Sequence, residues 1–208
     1  VLCFDTTNFD TFIATPTRNE LARRGHAKSK RRDLRVVGLA VLVSETGHVP
    51  LLYRAYPGNG SDQTVLTDCL GALKELHQAL ADAEGRPRAQ RTLVRDGGSW
   101  SEQLELELNV AGYYTLISLP LGHNASKVAL EFAAQRGQMK GLRGSLSNVR
   151  AARQMSAVGD LKRTLVVVES DELLRGQKRG IAVALRKAKS ELRKVAKLGD
   201  AAGTIMRG

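Results

Sequence analysis

The sequence predicts an α/β protein built on a mixed sheet, with three antiparallel strands first, parallel strands later, and helices flanking them. Three observations carry this. The apolar run Val1 to Phe4 delivers a carboxylate, Asp5, into the polar run Thr6-Thr7-Asn8. Two Val- and Leu-rich runs, 34–44 and 49–56, are joined by Glu45-Thr46-Gly47-His48, the pattern of a β-hairpin with a short polar turn. The segment Arg91-Thr92-Leu93-Val94-Arg95-Asp96-Gly97-Gly98 then repeats the first arrangement: a short apolar run, an Asp, and glycines.

In chain order, the opening run predicts a strand ending near Asp5, and the hairpin supplies two more. Pro57-Gly58-Asn59-Gly60-Ser61 ends this sheet segment, and Ser61 or Asp62 is suited to cap a helix. Leu66, Cys69, Leu73, Leu76 and Leu80 follow at spacings of three and four, predicting one amphipathic helix that Gly85-Arg86-Pro87-Arg88 closes. A strand over 92–94 ends at Asp96. Ser99 or Ser101 can cap a second helix through Asn109, and a strand over 113–119 stops at Pro120. Strand, helix and strand with short connections imply a parallel pair joined by a right-handed crossover.

Beyond Gly122 the texture changes. Residues 124–136 predict a short helix, 137–159 read as a loose stretch rich in Gly, Ser and Arg, and 162–168 read as a strand. Ile181, Leu185, Ala188, Leu192, Val195 and Leu198, with Arg and Lys between them, predict a long basic amphipathic helix over 178–198, starting after Gly176 or Gly180. The expected division is a core of residues 1–122 and a basic insertion with that helix over 123–208.

Composition narrows the function classes. The 208 residues carry a net charge of +11, and a surplus of this size favours polyanions because neutralised phosphates release counterions. Aromatic residues make up only 4%, which argues against a single-strand binder built on stacking platforms. No apolar run approaches the roughly 20 residues of a membrane span, and the four-residue apolar start is not a signal peptide. A reducing cytoplasm is the default location. Cys3 and Cys69 sit in apolar patterns as small core residues. The start at Val1 and the end at Met206-Arg207-Gly208 read as those of a fragment.

Carboxylates at neighbouring strand ends suit Mg²⁺, a hard cation that takes one or two protein carboxylates and fills its octahedron with water and phosphate oxygens. Asp5 and Asp96 are the candidate ligands; each is also a good turn residue, and matched positions in a basic chain favour the metal reading. The densest cationic cluster includes Arg23, Arg24, Lys28, Lys30, Arg31 and Arg32, either as a solvated loop or as a loop that grips phosphate. His26, His48, His77 and His123 show no ligand spacing and are read as structural. Trp100 is read as a core or helix-start anchor, Asp62 as a cap, and Thr6 and Asn8 as turn residues with a supporting role beside a metal as the lesser alternative.

Phe4-Asp5-Thr6-Thr7-Asn8-Phe9, Gly47-His48-Val49-Pro50-Leu51, Tyr56-Pro57-Gly58-Asn59-Gly60-Ser61-Asp62, Val94-Arg95-Asp96-Gly97-Gly98-Ser99, and Ala111-Gly112-Tyr113-Tyr114 to Ser118-Leu119-Pro120 together resemble the catalytic domain of bacterial insertion-sequence transposases of the DDE class. The resemblance covers most of residues 1–122 and continues loosely through the basic region. It implies a ribonuclease H-like fold and an enzyme that cleaves and transfers DNA strands with Mg²⁺, or Mn²⁺ in its place. It makes Asp5 the first acid and Asp96 the second, catalytic and metal-binding alike. Its partners would be double-stranded DNA, as element ends and target, with a homodimer on paired ends, and its place would be the bacterial cytoplasm in association with the nucleoid.

The family also needs a Glu on a helix with neighbouring Tyr, Arg and Lys, and no such word occurs here. Glu169, Glu172 and Glu191 are the late candidates, but Glu191 lies in the basic helix, so the third acid is expected beyond Gly208. Two alternatives stand beside this reading: another metal nuclease on the same fold, and a non-catalytic basic DNA-binding protein in which both Asp residues only form turns.

Overall fold

The computed structural model describes residues 1–205 except 15, 26, 32 and 87–89, with side chains described as far as residue 196. His26 and Arg32, both singled out above, lie outside the described residues. The chain divides into two compact units, Val1–His123 with Ala157–Lys162, and Asn124–Ser156 with Arg163–Gly208.

The first unit is a five-stranded sheet in the order β3-β2-β1-β4-β5. Strands β1 (Leu2–Thr11), β2 (Arg35–Ser44) and β3 (Pro50–Pro57) are antiparallel neighbours, and β4 (Arg91–Arg95) and β5 (Tyr113–Ile117) join parallel to β1. This is the mixed sheet, antiparallel first and parallel later, that the sequence predicts, and it is consistent with the ribonuclease H-like fold that the resemblance implies. Helices α1 (Asp62–Asp68), α2 (Leu70–Ala83) and α3 (Glu102–Val110) share one core with the sheet. Leu2, Phe4, Leu42 and Leu93 from the strands meet Leu66, Leu73, Leu104 and Leu108 from the helices, all buried. Strand alternation turns the intervening residues away from this core, and there Tyr53, Tyr114 and Leu116 are exposed.

Several details differ from the expectation. β1 does not end near Asp5. It pairs with β2 over its whole length, from Leu2 opposite Ser44 to Thr11 opposite Arg35, while its pairing with β4 stops at Phe4 opposite Arg95. Polar residues continue the strand because the antiparallel partner carries the ladder onward and Thr6, although polar, is buried with a partner for its hydroxyl. The predicted first helix is two, α1 and α2, meeting at Cys69, and the N-cap is Ser61, whose hydroxyl accepts the Thr64 N–H. At the hairpin turn Gly47 and His48 both take positive φ, 74° and 50°.

Helix α4 (Asn124–Ala134) belongs to the second unit, as does most of a three-stranded sheet in the order β6-β7-β8. β6 is Lys140–Gly141, β7 Val149–Val158 and β8 Leu161–Ser170. The stretch read as loose thus contains a ten-residue strand, and the basic region, expected to hold one strand among its helices, contains three. The long helix, α5 (Asp171–Ile205), begins directly after β8 and runs through Gly176 and Gly180. Outside its chain neighbours and the helix's own backbone, neither glycine has an atom within 4 Å of where a Cβ would stand, so nothing forces a break, and glycine's lower helix propensity of about 1 kcal/mol each is tolerated. No helix among the described residues is long and apolar enough to cross a membrane.

Candidate active site at the fork of β1 and β4

The register places Asp5 and Asp96 together. Phe4 and Arg95 are the last parallel pair, so Asp5 and Asp96 are the next residue on each chain, where β4 leaves β1. Neighbouring strands run about 4.8 Å apart where they are paired, and this pairing ends one residue before the two acids. Both residues are exposed, and Asp5 alternates with buried Phe4 and Thr6. Asp96 is the N-cap of a single 3-10 turn, Gly97–Ser99, with one carboxylate oxygen accepting the Gly97 N–H at 2.7 Å. Two hard oxygen donors at adjacent positions fit a divalent cation of the Mg²⁺ kind. Among the described residues no group of three or more His, Cys, Asp or Glu is placed to hold a metal ion. Glu169 instead lies 3.6 Å from Arg150, Glu172 sits in the first turn of α5, and Glu191 is exposed further along that helix.

Asp62, read from the sequence as a cap, is the first residue of the helix that Ser61 caps. It opens α1 and accepts the Thr6 hydroxyl at 2.8 Å, tying the helix to the strand one residue past Asp5. Its other carboxylate oxygen lies over Gly98, where a Cβ would come within 3.0 Å. Burial, with the charges of Asp62 and Asp5, pushes the Tyr56 phenol above its ordinary value, against a smaller lowering influence of the Thr6 side chain. The Tyr56 ring lies across Gly38, its cross-strand partner, where any Cβ would collide with it at 2.2 Å.

The cationic segment between β1 and β2 is anchored. Ala22 and Ala27 are buried, Arg23 forms a two-bond bridge with Val36, and Leu21 accepts the Gly58 N–H at 3.0 Å. Its charges differ in their engagement. Lys28 turns back to β1, its ammonium donating to the Thr6 carbonyl at 2.7 Å and its N–H to Asn8 Oδ1 at 3.1 Å. Arg31 forms a two-bond pair with Asp33, which holds the Asp33 carboxyl down at about 2 and raises the guanidinium. Arg23, Arg24 and Lys30 are exposed, and Lys30 takes a positive φ of 62°.

The sequence reading missed the buried charges behind the site. Arg95 and Glu105 form an ion pair whose side chains are almost fully buried. Arg95 also donates to the carbonyl and the hydroxyl of Ser99 at 2.7 and 3.0 Å, and Thr115 donates to Glu105 at 2.5 Å. A signal existed. Arg95 shares strand parity with Leu93, and Glu105 adjoins Leu104 on the apolar side of α3, so both point inward.

No protein-family model matches the chain, and no curated protein matches it. Among solved structures the chain is similar to the piggyBac transposase synaptic complex with hairpin DNA, at 11% identity and a TM-score of 0.40, over 80% of this chain and 32% of that one. It is also similar to the Mos1 transposase paired-end complex with left transposon end, at 12% identity and a TM-score of 0.35, over 64% of this chain and 48% of that one. The chain thus spans about a third and about half of those two proteins.

Proposed function

We propose that the first unit is the catalytic core of a DDE-type transposase acting in insertion-sequence transposition, cleaving DNA and transferring the cut strand. The observation that carries this is the register of the fork, which makes Asp5 and Asp96 neighbours at the mouth of a ribonuclease H-like sheet in a chain of charge +11. The two carboxylates would hold Mg²⁺ or Mn²⁺; when bound, such ions activate a nucleophile and stabilise the leaving oxygen of a phosphodiester. The protein's own contribution is position. β1 holds Asp5 through its ladder to β2, and the 3-10 turn holds Asp96. Exposed Arg23, Arg24 and Lys30, with the cations of α5, would neutralise double-stranded DNA backbone.

Asp5→Asn and Asp96→Asn test the reading. Each is expected to retain plasmid DNA binding in EDTA, to lose Mn²⁺ affinity in a titration followed by electron paramagnetic resonance, and to lose cation-dependent cleavage. Wild-type Mn²⁺ affinity in both variants would leave the two residues as turn formers and the chain as a basic DNA-binding protein.

A further inference from the structure

We propose that Arg95, Glu105 and Ser99 are positioning residues that aim the second carboxylate from inside the core. The proposal rests on the metal reading of Asp5 and Asp96. Asp96 follows β4 into one turn of 3-10 helix, and short turns of this kind have poor hydrogen-bond geometry of their own. Here the turn is fixed from three directions. From below, the Arg95 guanidinium grips both the carbonyl and the hydroxyl of Ser99. The Ser99 hydroxyl passes the constraint on, donating to the Asp96 carbonyl at 2.8 Å, beside the Ser99 N–H bond to the same oxygen at 3.2 Å. On the flanks, Gly97 abuts the Ser118 carbonyl, 2.9 Å from where a Cβ would stand, and Gly98 lies under the Asp62 carboxylate.

The Arg95 guanidinium is itself fixed. Glu105 pairs with it across the α3 interface and is oriented by Thr115 on β5, so strand, helix and neighbouring strand converge on one planar fork. A buried ion pair is an inefficient way to hold a fold together, since apolar residues of the same volume often serve as well or better. What an apolar pair cannot do is grip a backbone carbonyl and a hydroxyl at once, in the turn that carries Asp96. That difference assigns the pair to geometry.

The test compares, in the full chain, Ser99→Ala, Arg95→Lys and the double variant Arg95→Met with Glu105→Leu, with Asp96→Asn as reference. Two readouts are taken beside thermal unfolding: Mn²⁺ affinity, and the fluorescence anisotropy of Trp100, the chain's single tryptophan, which directly follows the turn. The double variant is expected to unfold cooperatively, to bind Mn²⁺ about 10- to 100-fold more weakly, as when partners behind metal ligands are removed, and to show a more mobile Trp100. Arg95→Lys keeps the charge but not the fork and is expected to fail to restore affinity. If the double variant does not fold, Ser99→Ala decides, with weaker Mn²⁺ binding and a looser Trp100 in a chain that still unfolds cooperatively, at a slightly lower melting temperature. Wild-type affinity and anisotropy in a folded double variant, or in Ser99→Ala, overturn the proposal. Unchanged affinity in Asp96→Asn overturns the metal reading instead.

Discussion

Each unit contains a strand that runs into a helix, and the two pairs could hardly be more different. In the first unit, β4 and α3 are short, and Leu93, Leu104 and Leu108 are at most 1% exposed, with the Arg95–Glu105 pair sealed beneath. In the second unit β8 and α5 are long, yet Leu185, Leu192 and Val195 are 57%, 69% and 65% exposed, and the Arg150–Glu169 pair stands open. Both helices show apolar residues at helical spacing. Spacing therefore defines a face, while burial depends on whether a sheet of matching width lies under it. On the proposed reading the first arrangement holds two carboxylates in register, and the second presents cations.

This contrast can be broken by measurement, the largest effect first. Arg95→Met leaves Glu105 charged and buried and is expected to destabilise the fold by about 3–5 kcal/mol. Leu104→Ala opens a cavity in the shared core and is expected to cost about 3 kcal/mol in chemical denaturation, whereas Leu192→Ala should stay within about 0.5 kcal/mol. A loss at Leu192 equal to that at Leu104 would mean that the α5 stripe is covered in solution, and the contrast would fail.

Smaller effects sharpen it. Tyr113→Phe removes the hydrogen bond to the Leu73 carbonyl at 2.7 Å and should cost about 1 kcal/mol. Burial also pushes the Tyr113 phenol up to about 12 from an ordinary 10. The unfolded chain therefore ionises first, stability falls as pH rises from 10 towards 12, and Tyr113→Phe should remove that part of the slope. His77, edge-on to Tyr113 at 5.2 Å, is held below its ordinary 6.5 by burial and by Arg91. It is neutral in the fold where the unfolded chain is protonated, so stability should decline as pH falls below 6.5, and His77→Gln should flatten that decline in urea titrations across pH. Arg150→Ala, at an exposed pair, should change the melting temperature least of all.

The sheet was legible because its strands are apolar and its punctuation is strong: Gly47, Pro57 to Ser61, and Gly112 each stand where the chain turns. Asp5 and Asp96 stand out in the sequence for the same reason, as acids after matched apolar runs, and the pairing of β1 with β4 ends one residue before both. What escaped was whatever depended on partners distant in sequence. The second half of β1 is polar and is strand because β2 lies alongside it. In β7 the inward positions change parity, from 149 and 151 to 152, 154, 156 and 158, and the even ones are Ala, Gln, Ser and Val, so no period of two stands out in the sequence. The early start of α5 was hidden by Gly176 and Gly180, which break helices on average but touch nothing here. Asp62 read as a cap because local sequence cannot show that Thr6, 56 residues earlier, would meet it.

The fork also leaves β1 zipped on one side only. From Thr6 to Thr11 the strand keeps its ladder to β2, while on the flank that β4 has left the Lys28 ammonium takes up the Thr6 carbonyl. In an antiparallel ladder hydrogen-bonded and non-bonded pairs alternate, so amide protons here should exchange with solvent in a comb, slow and fast residue by residue. Over Leu2 to Phe4, with a strand on each side, the slow teeth should merge. Asp5 stands where the comb begins.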